Sequence, residues 1–314
     1  MLNQRLYSWA RDRNYRVACI NPGCAGEVRG MVDELRNTGA IDPVFFQEWL
    51  NEFRYVEDCT IQPVSALVLI AVPRPAHIVT FDVPGRILDM VLPPTYVNYR
   101  RTFEMVRDDF LANVVKGKDG VEILNVPIKT LAGLVGFIRY GKNNVGYVPG
   151  YGSYVQLVCL ATTYPFELEP ADKTGAIDRH NQMLEECRDC KRCVQACTMG
   201  AIPEDRFLLR AQSCYTAFSE SAKPIPQGLH SPSPQCLIGC MKCQLSCPVN
   251  RGLLKYEKVP EQFTKEESQY MLNARVPYQG EIWSRIITKF AKLGLTEQPP
   301  LFVRNLQLIH GSQG

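Results

Sequence analysis

The chain has 314 residues, 46% of them hydrophobic, enough to bury one large core or two ordinary ones. Its 35 basic and 32 acidic residues leave a formal charge of +3, without the clustered basic excess that marks a large nucleic-acid footprint. The longest strongly apolar run, residues 65–72, is far shorter than the roughly 20 residues a membrane-crossing helix needs.

The first residues, MLNQRLYSWARDRN, carry charges where a signal peptide needs an apolar stretch. The expectation is therefore a soluble, cytoplasmic protein with no membrane partner. Residues 1–60 read as helical, with apolar residues at helical spacing through 40–53. The run ALVLIAV (66–72) reads as a buried strand that Pro73 and Pro75 end, because proline cannot donate to a ladder. After the breaker Pro93-Pro94, residues 95–115 read as a long amphipathic helix. A glycine-rich stretch, 133–154, then leads into a strand over 155–161. This mixture predicts an α/β or α+β domain over residues 1–166, followed by a polar linker at 167–180. A cysteine-bearing domain follows over 181–314, with a Pro- and Ser-rich loop (223–235) inside it. Its tail carries a capping box, Thr264 with Glu267, and an amphipathic helix over 281–293.

Cysteine is the outlier: 13 in all, nine of them between Cys187 and Cys247. In a reducing compartment such an excess points to metal binding or redox chemistry more than to disulfides. Cys19, Cys24, Cys59 and Cys159 lack ligand spacing and read as small buried hydrophobes. The first motif is Cys187-x2-Cys190-x2-Cys193-x3-Cys197, and the second is Cys240-x2-Cys243-x3-Cys247-Pro248. This is the bacterial ferredoxin pattern, in which the last cysteine of each run ligates the other cluster. Two intervening residues aim successive thiolates at different corners of one cubane, and the x3 step carries the last thiolate to its neighbour. The spacing thus predicts two 4Fe–4S clusters. One lies on Cys187, Cys190, Cys193 and Cys247, and the other on Cys197, Cys240, Cys243 and an upstream cysteine, either Cys214 or Cys236. Zinc would need four ligands per ion and would not call for two runs of this form.

The block CRDCKRCVQACTMGAI (187–202), then RAQSCY around Cys214, then GCMKCQLSCPVN (239–250), resembles the epoxyqueuosine reductase family and its relatives, the reductive dehalogenases. The segment 127–154 also resembles that family, through P-I-K-x-L-A and G-K-N to a loop with G-S. The resemblance implies that Cys214 is the fourth ligand of the second cluster. It further implies an α+β architecture: a nitroreductase-like domain binding cobalamin, followed by a ferredoxin-like double-cluster domain. On the same resemblance, Tyr96, Tyr99 and Arg100 lie near the cofactor. Gly141, Lys142, Asn143, Gly150, Gly152, Ser153 and Tyr154 belong to its loop, where glycines let backbone approach a large planar ligand.

The resemblance implies an oxidoreductase that takes electrons from an external low-potential donor such as a ferredoxin or flavodoxin. Its substrate would be a small molecule or a protein-bound group. Epoxyqueuosine reductases carry an acidic residue shortly before the proline matching Pro127, whereas this chain has Leu124-Asn125-Val126. It also ends at residue 314 without a long helical-repeat extension. On those two grounds tRNA is not expected as a partner, and a tyrosine, Tyr140 or Tyr147, is expected to donate the proton. The competing readings are an electron-transfer protein that reduces a partner and a flavin-dependent reductase on the same fold.

Overall fold

The computed structural model of the chain describes residues 1–50, 52–169, 183–205, 208–222, 236–273, 275–296 and 299–311. Most of the expected linker and all of the expected loop 223–235 lie outside the described residues. In chain order the first elements are α1 (Leu2–Asp12), β1 (Arg16–Ile20), α2 (Gly23–Asn37), α3 (Pro43–Trp49), β2 (Ala66–Pro73), β3 (Ala76–Val83), β4 (Arg86–Leu92) and α4 (Tyr99–Phe110). Next come β5 (Val121–Ile123), α5 (Ile128–Leu134), β6 (Arg139–Tyr140), β7 (Gly146–Tyr147) and β8 (Val155–Thr162). The chain continues with α6 (Arg192–Ala196), α7 (Tyr215–Ser219), α8 (Lys242–Leu245), β9 (Tyr256–Phe263), α9 (Lys265–Asn273), α10 (Glu281–Lys292) and α11 (Pro299–Gly311). The mixed α+β class expected from the sequence is what the chain adopts. Among the described residues no helix is long and apolar enough to cross a membrane.

Two compact units divide the chain. The first comprises residues 1–73, 101–191 and 203–212, and the second residues 74–100, 192–202 and 213–314. The division differs from a single cut after residue 166. The β3–β4 hairpin leaves the N-terminal unit because β3 pairs in parallel with β9, nearly two hundred residues later in the chain.

In the first unit an antiparallel sheet runs β1-β2-β8-β5. Strand β2 explains its own sequence. Side chains alternate across a strand, so Leu67, Leu69 and Ala71 enter one apolar core while Ala66, Val68, Ile70 and Val72 enter another on the opposite face. A strand covered on both faces reads as a continuous apolar run. Helix α4 continues as a π-helical turn to Val115, so the helix expected over 95–115 is present with a later start. Strand β1 falls within the stretch expected to be helical. Its five residues, RVACI, are too few to display a period, and only pairing to β2 makes them a strand. Cys19, Cys24, Cys59 and Cys159 are all buried in this unit. Burial pushes the Cys19 thiol up to about 12 and the Cys59 thiol up to about 11, so both are inert at neutral pH.

The second unit is built on the sheet β4-β3-β9. Its core is a row of rings: Phe81 on Phe263 at 4.7 Å, Phe263 on Phe290 at 4.9 Å and Phe290 on Phe302 at 4.8 Å between centroids. The predicted capping box closes α9. The Thr264 N–H donates to Glu267 Oε2 at 2.8 Å, and the Glu267 N–H donates to Thr264 Oγ1 at 3.3 Å. Glu267 is 2% exposed and its carboxylate is paired with Lys289 of α10. Phe263 links the sheet to the C-terminal helices, so Phe263→Ala is expected to cost about 3–5 kcal/mol in a denaturant titration.

Candidate functional site

The cysteines lie at the ends of short helical turns, where chain direction changes quickly enough to turn several thiols inward. In the first unit Cys187 closes a 3-10 turn (Glu185–Cys187) and is buried, while Cys190 is half-buried. In the second unit Cys193 is buried within α6, and Cys197 follows that helix, half-buried. Helix α6 packs against α8, which carries Cys243 and is preceded by Cys240. Cys214 is the N-cap of α7, and Cys247 caps the 3-10 turn Pro248–Asn250.

The tertiary structure brings four of these thiols into one electrostatic neighbourhood. Burial first, and then the proximity of Cys236, Cys214 and Cys197, push the Cys240 thiol up to about 11. Cys214 is likewise raised, by burial first and then by Cys197 and Glu220, against the lowering effect of hydrogen bonds from Thr216. Crowded thiolates repel one another and are stable only around a cationic centre, so this donor set suits iron. Among the described residues no three Cys, His, Asp or Glu side chains converge on a single ion; a cubane distributes its thiolates over four irons. Cys236 differs from Cys214 in its backbone. It forms a parallel bridge with Val91, and the Leu237 N–H donates to the Val91 carbonyl at 2.9 Å, which draws Cys236 to the edge of the small sheet.

A second layer supports this neighbourhood, and the sequence reading did not find it. The Gly239 N–H, one residue before Cys240, donates to Ser219 Oγ at 2.9 Å. The Ser219 carbonyl accepts from Asn305 Nδ2 at 3.0 Å, and Arg304 Nη1 and Nη2 donate to the Ser221 and Phe218 carbonyls at 2.6 and 2.9 Å. Gly239 has φ of +71°, and a Cβ there would lie 2.5 Å from the Tyr96 hydroxyl oxygen. Tyr96 therefore packs on the loop that presents Cys240, and its hydroxyl donates to the Glu220 carboxylate. Burial first, and then that contact, raises the Tyr96 phenol. Tyr99 and Arg100 begin α4 and are exposed.

The glycine-rich loop lies in the first unit. Strands β6 and β7 flank a turn in which Asn144 is left-handed (φ +58°). A Cβ on Gly141 would lie 2.4 Å from Asn143 Oδ1 and 2.6 Å from the Tyr147 ring, so this glycine makes room for the loop's own packing. Gly150 differs: its φ is +82° and no atom lies within 4 Å of where its Cβ would be, which leaves an open backbone face. Gly152 is also left-handed (φ +66°), and its N–H donates to the Val148 carbonyl at 3.0 Å. Lys142 and Ser153 are half-buried, and Asn143 and Tyr154 are buried. Asn143 Nδ2 donates to Tyr147 Oη at 3.1 Å. The Tyr140 hydroxyl donates to the Lys129 carbonyl at 2.8 Å, and burial pushes the phenol up to about 12. The Tyr140 carbonyl accepts from the Leu184 N–H at 2.8 Å, three residues before Cys187. The loop is thereby hydrogen-bonded to the segment that enters the cysteine block.

Lys129 also went unnoticed in the sequence, although it sits in the P-I-K segment. Its ammonium donates to the Asn144 carbonyl at 2.8 Å and to Asn144 Oδ1 at 3.1 Å, over the Tyr140 ring. These partners are neutral, and burial lowers its pKa to about 8. Leu124 and Val126, in the stretch without an acid, are both buried in the apolar core.

Residues 186–250 match the family of 4Fe-4S double cluster binding domains. The cysteine segment is therefore of the double-cluster iron–sulfur class. The chain is also similar to the epoxyqueuosine reductase of Bacillus subtilis (strain 168), 28% identical over 148 residues, or 46% of this chain and 35% of the relative. The enzyme of Lactococcus garvieae (strain Lg2) is 29% identical over 150 residues, 48% and 38% of the two chains. The matched segments thus span little more than a third of these relatives. In fold, a structure of the Bacillus subtilis enzyme, with its catalytic aspartate loop swung out of the active site, aligns with a TM-score of 0.63 at 18% identity, covering 98% of this chain and 82% of that one. An epoxyqueuosine reductase with an epoxyqueuosine-modified tRNA-Tyr stem loop aligns with a TM-score of 0.62 at 18% identity, covering 98% and 81%. In sequence over about half its length, and in fold over nearly all of it, the chain is similar to epoxyqueuosine reductases. The expectation that tRNA is not a partner does not stand, because a protein of this fold holds a tRNA stem loop.

Two outcomes follow. Cys214→Ala is expected to lose about half of the bound iron and sulfide on anaerobic purification, whereas Cys236→Ala keeps both. Because the pKa of Lys129 in the folded protein lies below its unfolded value, the unfolded chain binds more protons between pH 8 and 10.5, and stability rises with pH across that window. In Lys129→Met this contribution, roughly 2–4 °C in Tm, should vanish from thermal melts compared with the wild type across the same range.

Proposed function

We propose that the protein is an iron–sulfur oxidoreductase that uses a cobalamin to reduce epoxyqueuosine in a tRNA stem loop. Cys187, Cys190, Cys193 and Cys247 would hold one 4Fe–4S cluster, and Cys197, Cys214, Cys240 and Cys243 the other. The observation that carries this reading is the junction in the first unit where the Tyr140 carbonyl binds the Leu184 N–H. It joins the loop proposed to line the cofactor to the segment that leads into Cys187. The likeness in fold across 98% of the chain supports it.

The open face at Gly150 suits a large planar ligand with amide side chains, and the half-buried Lys142 and Ser153 belong to the same loop. Gly141, Asn143, Gly152 and Tyr154 of the first unit, and Tyr96, Tyr99 and Arg100 of the second, make up the rest of the proposed cofactor-binding set. When bound, the clusters and the corrinoid supply low-potential electrons for a two-electron reduction. Removing an epoxide oxygen as water consumes two electrons and two protons, so the chain must hold an acid near the reacting atoms. With Leu124, Asn125 and Val126 where relatives carry an acid, the tyrosines take that role. The Tyr140 hydroxyl donates to the Lys129 carbonyl, whereas the Tyr147 hydroxyl accepts from Asn143 Nδ2. Asn144, pinned by Lys129, sets the turn between them. An external low-potential carrier in the cytoplasm would supply the electrons.

The missing acid favours a second reading, in which the same machinery reduces a different, small substrate. Both are tested with anaerobically purified protein reconstituted with hydroxocobalamin and given a modified tRNA-Tyr stem loop and reductant. Loss of one oxygen from the modified base, seen by mass spectrometry, is the expected result. Phenylalanine in place of the donating tyrosine, 140 or 147, should slow the reaction about a hundredfold or more with iron content unchanged. Absence of corrinoid binding would remove the cobalamin, and an unaltered stem loop would leave the small-substrate reading.

A further inference from the structure

Between Met241 and Lys255 the chain carries three cations, Lys242, Arg251 and Lys255, and no acidic residue. This segment contains the ligands Cys243 and Cys247. It is held as one compact surface of the second unit. Asn250, 4% exposed, turns its Nδ2 back onto the Gln244 carbonyl at 3.0 Å, and the Asn250, Arg251 and Leu253 N–H groups close successive turns onto Cys247, Pro248 and Asn250. Arg251 and Lys255 are exposed and Lys242 is half-buried. Among the described residues none of the three has an ion-pair partner. Two large apolar side chains stand out among them: Leu245, 50% exposed, between the two ligands in sequence, and Leu253, 36% exposed.

Unpaired cations and exposed leucines on the one segment that presents cluster ligands are the ingredients of a protein interface, which combines apolar contact with a charged rim. We propose that this face docks an acidic electron-carrier protein, which delivers electrons to the clusters through the chain around Cys243 and Cys247. The proposal rests on the iron–sulfur reading above. The cations would steer a negatively charged carrier and raise its association rate, an effect that salt screens. The leucines would supply the desolvated contact. RNA phosphates would also meet the cations, but they would leave both leucines in water; a carrier covers them.

The test uses the anaerobic holoprotein and photoreduced flavodoxin of net negative charge, with loss of the visible cluster absorption followed by stopped flow. Photoreduced deazaflavin, too small to need a docking face, serves as the control reductant. The second-order rate with flavodoxin should fall as salt rises. Arg251→Glu with Lys255→Glu should lower that rate about tenfold or more at low salt and remove its salt dependence, and Leu253→Ser should weaken binding at every salt concentration. The deazaflavin rate and iron content should stay unchanged, and carbodiimide cross-links to flavodoxin should map to Lys242 or Lys255. If charge reversal costs iron, the Arg251→Gln, Lys255→Gln pair takes its place. An unchanged flavodoxin rate overturns the proposal. So does loss of affinity for a tRNA stem loop with the flavodoxin rate intact, which would assign the face to RNA. Purified wild-type protein without iron, or clusters that deazaflavin does not bleach, would bring down the iron–sulfur reading itself.

Discussion

The second unit is organised around a repulsion. Cys197, Cys214 and Cys240 come from three separate stretches of chain; Cys197 makes ionisation of Cys214 harder, and both make ionisation of Cys240 harder. Left as thiols they are a weakly packed set of polarizable groups. As thiolates they would force the turns apart. Iron would remove the conflict, because a cationic cluster core would replace these repulsions with attractions and fix the turns that carry the ligands.

That arrangement needs a frame that does not depend on iron, and the C-terminal helices supply it. The stacked rings from Phe81 to Phe302 hold α10 and α11 on the small sheet. Arg304 and Asn305 then reach from α11 to the end of α7, and Ser219 passes the constraint to Gly239. The tail, which in sequence looks like an appendage, positions the loop before Cys240. The first unit uses a different device: a turn closed by glycine, a left-handed asparagine and a lysine ammonium buried among neutral partners. A charge kept there without a carboxylate is costly, and the turn it pins belongs to the loop joined to the cysteine block at Leu184.

Much of this was legible from residues alone where the signal is local. The cysteine spacing announced two cubanes because ligation geometry is set within a few residues. The run ALVLIAV announced a doubly covered strand, and Thr264 with Glu267 announced a helix start, because a cap is a contact between residues three apart. The strands β1, β3, β4 and β9 were not legible. Their patterning is short or mixed, and β9 exists as a strand because β3 lies beside it. Helix α11 was missed for a related reason: buried on much of its surface, it lacks the polar face that would have marked its period.

The sequence by itself determined the chemistry, since the spacing within two cysteine runs leaves few alternatives to iron–sulfur clusters. Only the tertiary structure decided which groups stand near them: Tyr96 against Gly239, Glu220 on Tyr96, Cys236 drawn to the sheet edge, and Lys129 over Tyr140. The physical reason is range. Ligand spacing and capping act over a few residues and are written in local order. Burial, hydrogen-bond partners and the direction of a pKa shift depend on groups tens to hundreds of residues away, which meet only when the sheets and helices close around them.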